Sequence, residues 1–307
     1  YEILVTALQK LRNNFLNYRL VSSDSLDKIN LMLKSISITF IQLLFTLFMY
    51  AMGILFFGAS MVPGLLLLFK VWQATLHLDL MPRVLYLAFT LSAGYFIFGV
   101  TLVVLVGLFR TIFNIRLKEG EYPMYSFEAL KWSFCGCLYL MVHYTFIDFI
   151  LLTPFANLLF RMLGAKLGKN VQFNSKFVFD ASLLEIGDHT VVGGGAIING
   201  HIVERGKLIL RKVKIGKNVL LGSHCTIMPG CEIGDKAIIG AGAVLLKDSK
   251  VEPRDIWFGL PAESLREKKR KEIAENLEYS KAMGDLAENA EYHEAREAQM
   301  NLEERID

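Results

Sequence analysis

Aliphatic residues recur at every sixth position through the middle of the chain: Ile215, Leu221, Ile227, Ile233, Ile239 and Leu245. Four residues after each of the first five stands a smaller side chain, at Val219, Cys225, Cys231, Ala237 and Ala243. Gly follows the aliphatic residue at 216, 222, 234 and 240. The same spacing runs through Ile186, Val192 and Ile198, with Thr190 and Ala196 as the smaller residues, and extends more weakly to Leu167, Phe173 and Phe179. A period of six matches neither a helix at 3.6 nor a half-buried strand at 2. It suits short parallel strands joined by tight turns, three to a triangular coil, with the aliphatic residues stacked in a column inside.

Upstream the texture is different. No Asp, Glu, Lys or Arg occurs from Ile36 to Phe69, nor from Val84 to Phe109. Each run exceeds the roughly 20 residues that cross a bilayer core. Spans are expected over about 36–58 and 84–109. The stretch from Met61 to Met81, interrupted by Lys70 and Asp79, reads as re-entrant or interfacial, and about 132–159 as an interfacial helix or a further span. Lys10, Arg12, Arg19, Lys28 and Lys34 precede the first span, and Arg110, Arg116, Lys118 and Lys131 follow the second. With two spans both clusters face the cytoplasm, as the positive-inside tendency favours. Lys70, His143 and Asp148 are read as snorkelling near an interface. The expected organisation is a membrane helical region over 1–163, a β-domain over 164–262 and a charged helical hairpin over 265–307.

Composition agrees with an integral membrane protein. Of 307 residues 53% are hydrophobic and 21% charged, with 22 Phe and a mean hydropathy of +0.39. That excludes disordered, collagenous and disulfide-scaffold classes. Cys135, Cys137, Cys225 and Cys231 sit in apolar or repeat positions and read as small buried side chains in a reducing compartment. A net charge of +3 does not indicate nucleic acid. A first residue of Tyr1 is what a fragment of a longer product would show.

The repeat resembles the hexapeptide-repeat acyltransferases, which fold as left-handed parallel β-helices. The likeness covers about residues 164–262 and ends in Trp257-Phe258-Gly259-Leu260-Pro261-Ala262, similar to that family's closing segment. A narrower likeness is to the membrane-embedded C-terminal region of polylysine-synthetase-type nonribosomal peptide synthetases. It rests on Phe179 to Asp188, His201, Val213-Lys214-Ile215-Gly216 and the junction Arg161 to Gly168. Ser182 departs from it, standing where an acidic residue is expected.

Ile215 follows Ile198 by 17 positions, not a multiple of six, so the chain must leave the coil there. The excursion carries His201 and Glu204. The resemblance implies a His general base at such a point, removing a proton from a hydroxyl or amine that attacks an acyl thioester, for which imidazole has a suitable pKa. Glu204 or Asp180 can orient the ring. The turn Gly193-Gly194-Gly195 offers N–H groups to an oxyanion. Lys247, Arg254 and Trp257 near the last coil are candidates for contact with acyl-CoA, the implied donor substrate. His189 and His224 sit inside the regular repeat and read as structural. The acceptor is a small molecule or peptide, the expected assembly a homotrimer, and the membrane lipid a further partner. No ligand spacing suggests a metal. An inactive trimeric scaffold is the competing reading of the same domain.

From Leu265 the period turns helical, with 8 Lys/Arg against 12 Asp/Glu, a net of −4. Gly284 to His293, with Ala295-Arg296-Glu297 and Gln299, resembles the coiled-coil hairpin of the Gre transcript cleavage factors. Ile273, Leu277, Tyr279 and Ala282 are expected to face Ala290, Ala295 and Leu302. The resemblance implies RNA polymerase as a partner and Asp285 and Glu288 as the acidic tip. Two carboxylates so spaced can share a hard cation.

Overall fold

The six-residue period becomes three parallel sheets that wrap one column of aliphatic side chains. One face stacks β2 (Lys166–Leu167), β4 (Leu184–Ile186), β9 (Val213–Ile215), β12 (Glu232–Ile233) and β15 (Lys250–Val251). The second stacks β3 (Gln172–Phe173), β5 (Val191–Val192), β10 (Leu220–Leu221), β13 (Ile238–Ile239) and β16 (Ile256–Gly259), and closes with the antiparallel β17 (Ala262–Ser264). The third stacks β6 (Ile197–Ile198), β11 (Thr226–Ile227) and β14 (Val244–Leu245). Leu220 pairs with Ile238 and Ile238 with Ile256, so one coil takes three hexads. The inward residues Val192, Leu221, Ile227, Ile239 and Leu245 are fully buried. Each contributes about 1.5–3 kcal/mol by leaving water, and the small positions Cys225, Cys231, Ala237 and Ala243 are as deeply buried beside them.

The computed structural model describes the backbone of residues 2–282 and 290–304, with side chains over 38–281 and 293–301 and at Lys10. The chain divides into two units, 1–55 and 56–307. Helix α1 (Glu2–Ala74) carries the apolar segment Ile38–Ala74, and α2 (Leu80–Ile112) is apolar throughout. Both are long and apolar enough to cross a membrane, and Leu65, Leu66, Phe89 and Leu91 point outward along them. The expected break after 58 is absent: helix continues through Pro63 to Ala74, so no separate re-entrant piece forms.

The expected single helix over about 132–159 is instead two. Helix α3 (Phe127–His143) starts where the Ser126 hydroxyl accepts from the Ala129 N–H, and α4 (Pro154–Met162) starts where Thr153 accepts from Phe155. Pro154 holds Thr153 in extended backbone, ψ 162°, and so fixes the start of α4. Between them Phe146 and Phe149 pack on Tyr95 and Phe96 of α2. The Tyr95 hydroxyl donates to the Thr145 carbonyl at 2.5 Å.

The first coil is looser than the period implies. Leu167 pairs with Ile186, nineteen positions on, and Val178 bridges Ile198. Val178, not Phe179, therefore occupies the third inward position and is buried. After β17, helix α5 (Leu265–Ala282) starts with Ser264 accepting from the Glu267 N–H, and α6 (Ala290–Glu304) packs along it. Ile273 and Leu277 are half-buried and Ala295 buried. Tyr279 is exposed and Ser280 takes the buried place, because spacings of four and three from Ile273 reach 277 and 280 rather than 279. Asp285 and Glu288 lie outside the described residues.

Candidate functional site

The register break is an antiparallel hairpin of β7 (His201–Glu204) and β8 (Lys207–Leu210). Arg205 and Gly206 both have positive φ, +50° and +75°, the backbone that joins two strands in a two-residue turn. Strand β1 (Gly120–Pro123), between α2 and α3, adds to the outer edge of β8. Leu208 and Leu210 are thereby buried with Leu117, Ala129 and Leu183. Hairpin, coil and helical segment share one small core, and His201 opens the strand at its edge.

Asp180 faces His201. It sits in left-handed backbone, φ +55°, just before a short helical turn at Ala181–Leu183. Its Oδ2 accepts from His201 Nδ1 at 2.5 Å and from the Gly200 N–H at 3.1 Å, while Oδ1 accepts from Trp132 Nε1 at 3.0 Å. Three N–H donors, two from the start of the hairpin and one from α3, hold the carboxylate in one orientation, and its side chain is only 5% exposed. The Trp132 ring also lies 4.7 Å from the imidazole, centroid to centroid. With Nδ1 donating to the carboxylate, the lone pair of the neutral ring is on Nε2. The His201 side chain remains 25% exposed.

The pair opens on a pocket of about 320 Å³ between the coil and α3. Leu117, Leu138, Leu163 and Val178 give it apolar walls, and Arg110, Cys135 and Ser182 add polar groups. Ser182 anchors this wall, its hydroxyl accepting from the Leu117 N–H at 3.2 Å. Burial pushes the Cys135 thiol up to about 11. It therefore stays a thiol near neutrality and is no nucleophile. The pocket offers one aimed base in an apolar cleft, the arrangement that proton abstraction needs.

The other sequence candidates go elsewhere. Glu204 pairs with Lys247, Oε2 to Nζ at 2.6 Å, on the far face of the hairpin, so the carboxylate on the imidazole is Asp180. Successive side chains of a strand point to opposite faces, and β7 carries Glu204 three positions from His201. Gly193, Gly194 and Gly195 form a corner of the coil and do not line the pocket. The Gly193 N–H already donates to the Leu221 carbonyl, and Gly195 lies beneath the His224 ring. The chain completes β6 before it reaches His201, which separates that corner from the site. His189 and Arg254 share another corner with Asn170, Asn218 and Lys236, all at positive φ. Trp257 Nε1 donates to Asp255 Oδ2 at 2.8 Å.

Lys247 instead borders a second depression of about 350 Å³ with Arg205, Lys207 and Arg211. Among the described residues no three His, Cys, Asp or Glu side chains converge as a metal site. Trp132 and Arg110, both on the pocket wall, were not singled out by the repeat. They precede it in sequence and sit where apolar helix meets basic cluster.

Residues 212–247 match the family model for bacterial transferase hexapeptide (six repeats), and residues 262–307 that for transcription elongation factor, N-terminal. Transcription elongation factor GreA of Clostridioides difficile (strain 630) is 52% identical over 44 residues, 14% of this chain and 28% of that protein. The chain thus spans little more than a quarter of the curated relative it matches. A maltose O-acetyltransferase from Clostridium difficile 630 is 21% identical, covers 48% of this chain and 92% of its own, and has a TM-score of 0.37. A hexapeptide-repeat-containing acetyltransferase of Vibrio cholerae O1 biovar eltor, complexed with acetyl coenzyme A, is 19% identical over 52% of this chain and 96% of its own, TM-score 0.38.

Proposed function

We propose that the chain is a membrane-anchored acyltransferase whose general base is His201, positioned by Asp180. The observation that carries this reading is the 2.5 Å contact between His201 Nδ1 and Asp180 Oδ2 at the wall of an apolar pocket. The hexapeptide transferase match over 212–247 supports it. In the proposed step Nε2 takes the proton from an acceptor hydroxyl or amine as its oxygen or nitrogen attacks the thioester carbonyl. The tetrahedral adduct collapses with cleavage of the C–S bond, and the imidazolium returns the proton to the departing thiolate. Asp180 keeps the ring in the tautomer and orientation that both transfers require.

The coil is proposed to be a left-handed β-helix on the cytoplasmic side, with Ile38–Ala74 and Leu80–Ile112 in the bilayer. An acyl-CoA donor is proposed, its phosphates meeting the basic rim of Arg205, Lys207, Arg211 and Lys247, with Arg254 and Trp257 as further contacts from the last coil. The homotrimer and the polylysine-synthetase-type kinship belong to the same proposal, with peptide-bond formation as the transfer. Substituting His201→Ala and following thiol release from acetyl-CoA across a panel of amines and alcohols tests it. Loss of turnover in a folded protein is expected; turnover equal to wild type overturns the assignment.

One observation favours a separate reading of the tail: the 52% identity to GreA over 44 residues. On that reading Asp285 and Glu288 of the tail act on RNA polymerase. Adding the purified full chain to stalled polymerase and measuring transcript cleavage decides it, with Asp285→Asn and Glu288→Gln as the variants that must abolish any effect.

A further inference from the structure

Arg110 ends the apolar run of α2, and its side chain turns into the pocket that holds His201 rather than out to the surface. It is 6% exposed. Only Nη1 has a partner, the Met162 carbonyl at 3.5 Å, a marginal contact. Nε and Nη2 are buried with no hydrogen-bond partner. These two nitrogens form one edge of the guanidinium, with parallel N–H bonds spaced to meet two oxygens of a single carboxylate or phosphate.

No acid within the pocket answers this charge. Asp180 is the carboxylate on the pocket wall, and its two oxygens are engaged by His201, Gly200 and Trp132. Cys135 remains neutral. The guanidinium itself packs on Gly164, φ +101°, where a Cβ would lie 2.0 Å from Nη2 and bar the side chain from the pocket wall. A buried cation with two vacant donors is costly in the free protein, and such a fork is stabilised when an oxyanion enters.

We infer that Arg110 binds an oxyanion, a carboxylate or phosphate, carried by the acceptor whose hydroxyl or amine meets His201. The class of acceptor follows from the walls and the two polar ends of the cavity: an amphiphile with an apolar body, an anionic group at Arg110 and a nucleophile at Nε2. That it is an acceptor rests on the acyltransferase reading; that an oxyanion binds does not.

Binding is therefore measured apart from turnover. Radiolabelled octanoate and octyl phosphate, with octanol as the neutral control, are equilibrated with the detergent-solubilised full chain, wild type, Arg110→Gln and His201→Ala. The expected result is saturable binding of at least one anion and not of octanol, weakened tenfold or more by Arg110→Gln and retained in His201→Ala. Preference between the two anions separates a carboxylate from a phosphate acceptor. Equal binding of octanol, or binding of both anions unaffected by Arg110→Gln, overturns the inference. Arg110→Met supplies a second measurement. Removal of an unanswered charge should leave the melting temperature unchanged or raised, whereas a fall would make Arg110 a structural residue and likewise overturn it. Loss of acyl transfer in His201→Ala with anion binding intact would uphold both readings; intact transfer with intact binding would overturn the base assignment alone.

Discussion

Trp132 Nε1 donates to Asp180 Oδ1 at 3.0 Å, on the carboxylate oxygen that His201 does not use. A residue of α3, outside the repeat, thus orients the group that orients the imidazole. Trp132→Phe keeps the ring and removes the donor. Hydrogen bonds to charged groups are worth about 1.5–3 kcal/mol, so acyl transfer should fall by roughly one to two orders of magnitude while the fold persists. Steady-state thiol release on the variant checks this, and a wild-type rate would mean that the Gly200 N–H suffices to hold Asp180.

Two carboxylates competed for the imidazole in the sequence, and they separate in the structure. Asp180→Asn should lower turnover by ~10²–10⁴, the range of a lost general base, because the amide can present its NH₂ to Nδ1 and favour the wrong tautomer. Glu204→Gln should leave turnover near wild type. Its partner Lys247 is half exposed, and exposed pairs of this kind contribute about 0–1 kcal/mol. Side-by-side kinetics of the two variants are decisive, since a larger loss in Glu204→Gln reverses the assignment.

The parts of the fold with local periodicity were legible. Nine aliphatic anchors at six-residue spacing announce the coil, since each hexad must repeat the same turn and the same inward side chain. The 17-residue gap before Ile215 marks the excursion for the same reason: the paired strands on either side keep their register only if the extra residues leave the coil, here as β7 and β8. What was not legible depends on contacts between distant segments. Trp132 and Arg110 reach the site because β1 docks on β8 and carries the adjoining helices with it, a long-range pairing that no spacing encodes. The glycine run at 193–195 signals a tight turn, which it is, but a turn's composition does not say which ligand, if any, it faces.

Coil stacking is tight where Gly222 meets the next turn. A Cβ there would lie 2.5 Å from the Ala241 amide nitrogen and 2.7 Å from the Gly240 carbonyl carbon. Both are backbone atoms, so no rotamer change relieves the contact. Gly222→Ala should destabilise by at least the 1–3 kcal/mol typical of overpacking, about 2–4 °C or more in melting temperature for a chain of this size. Thermal denaturation of the variant measures it, and an unchanged transition would show that adjacent coils can separate at that corner.

His143 makes stability depend on pH independently of catalysis. It is buried beneath Tyr139, Tyr144, Phe177 and Phe179, and its Nδ1 donates to the Lys176 carbonyl at 3.1 Å. Desolvation by burial lowers its pKa below the ordinary value; the carbonyl contact and Asp148 oppose this, and the Lys176 ammonium adds to it. The unfolded chain therefore takes up a proton near pH 6.5, where the folded chain does not. By linkage, stability is full above that value and falls as the pH drops through it, levelling once the folded pKa is passed. The melting temperature of solubilised protein should decline between pH 7 and pH 5, and His143→Gln, which keeps a donor for the Lys176 carbonyl, should flatten the decline. An acid slope identical in the variant would transfer the effect to other groups and leave His143 without a role in it.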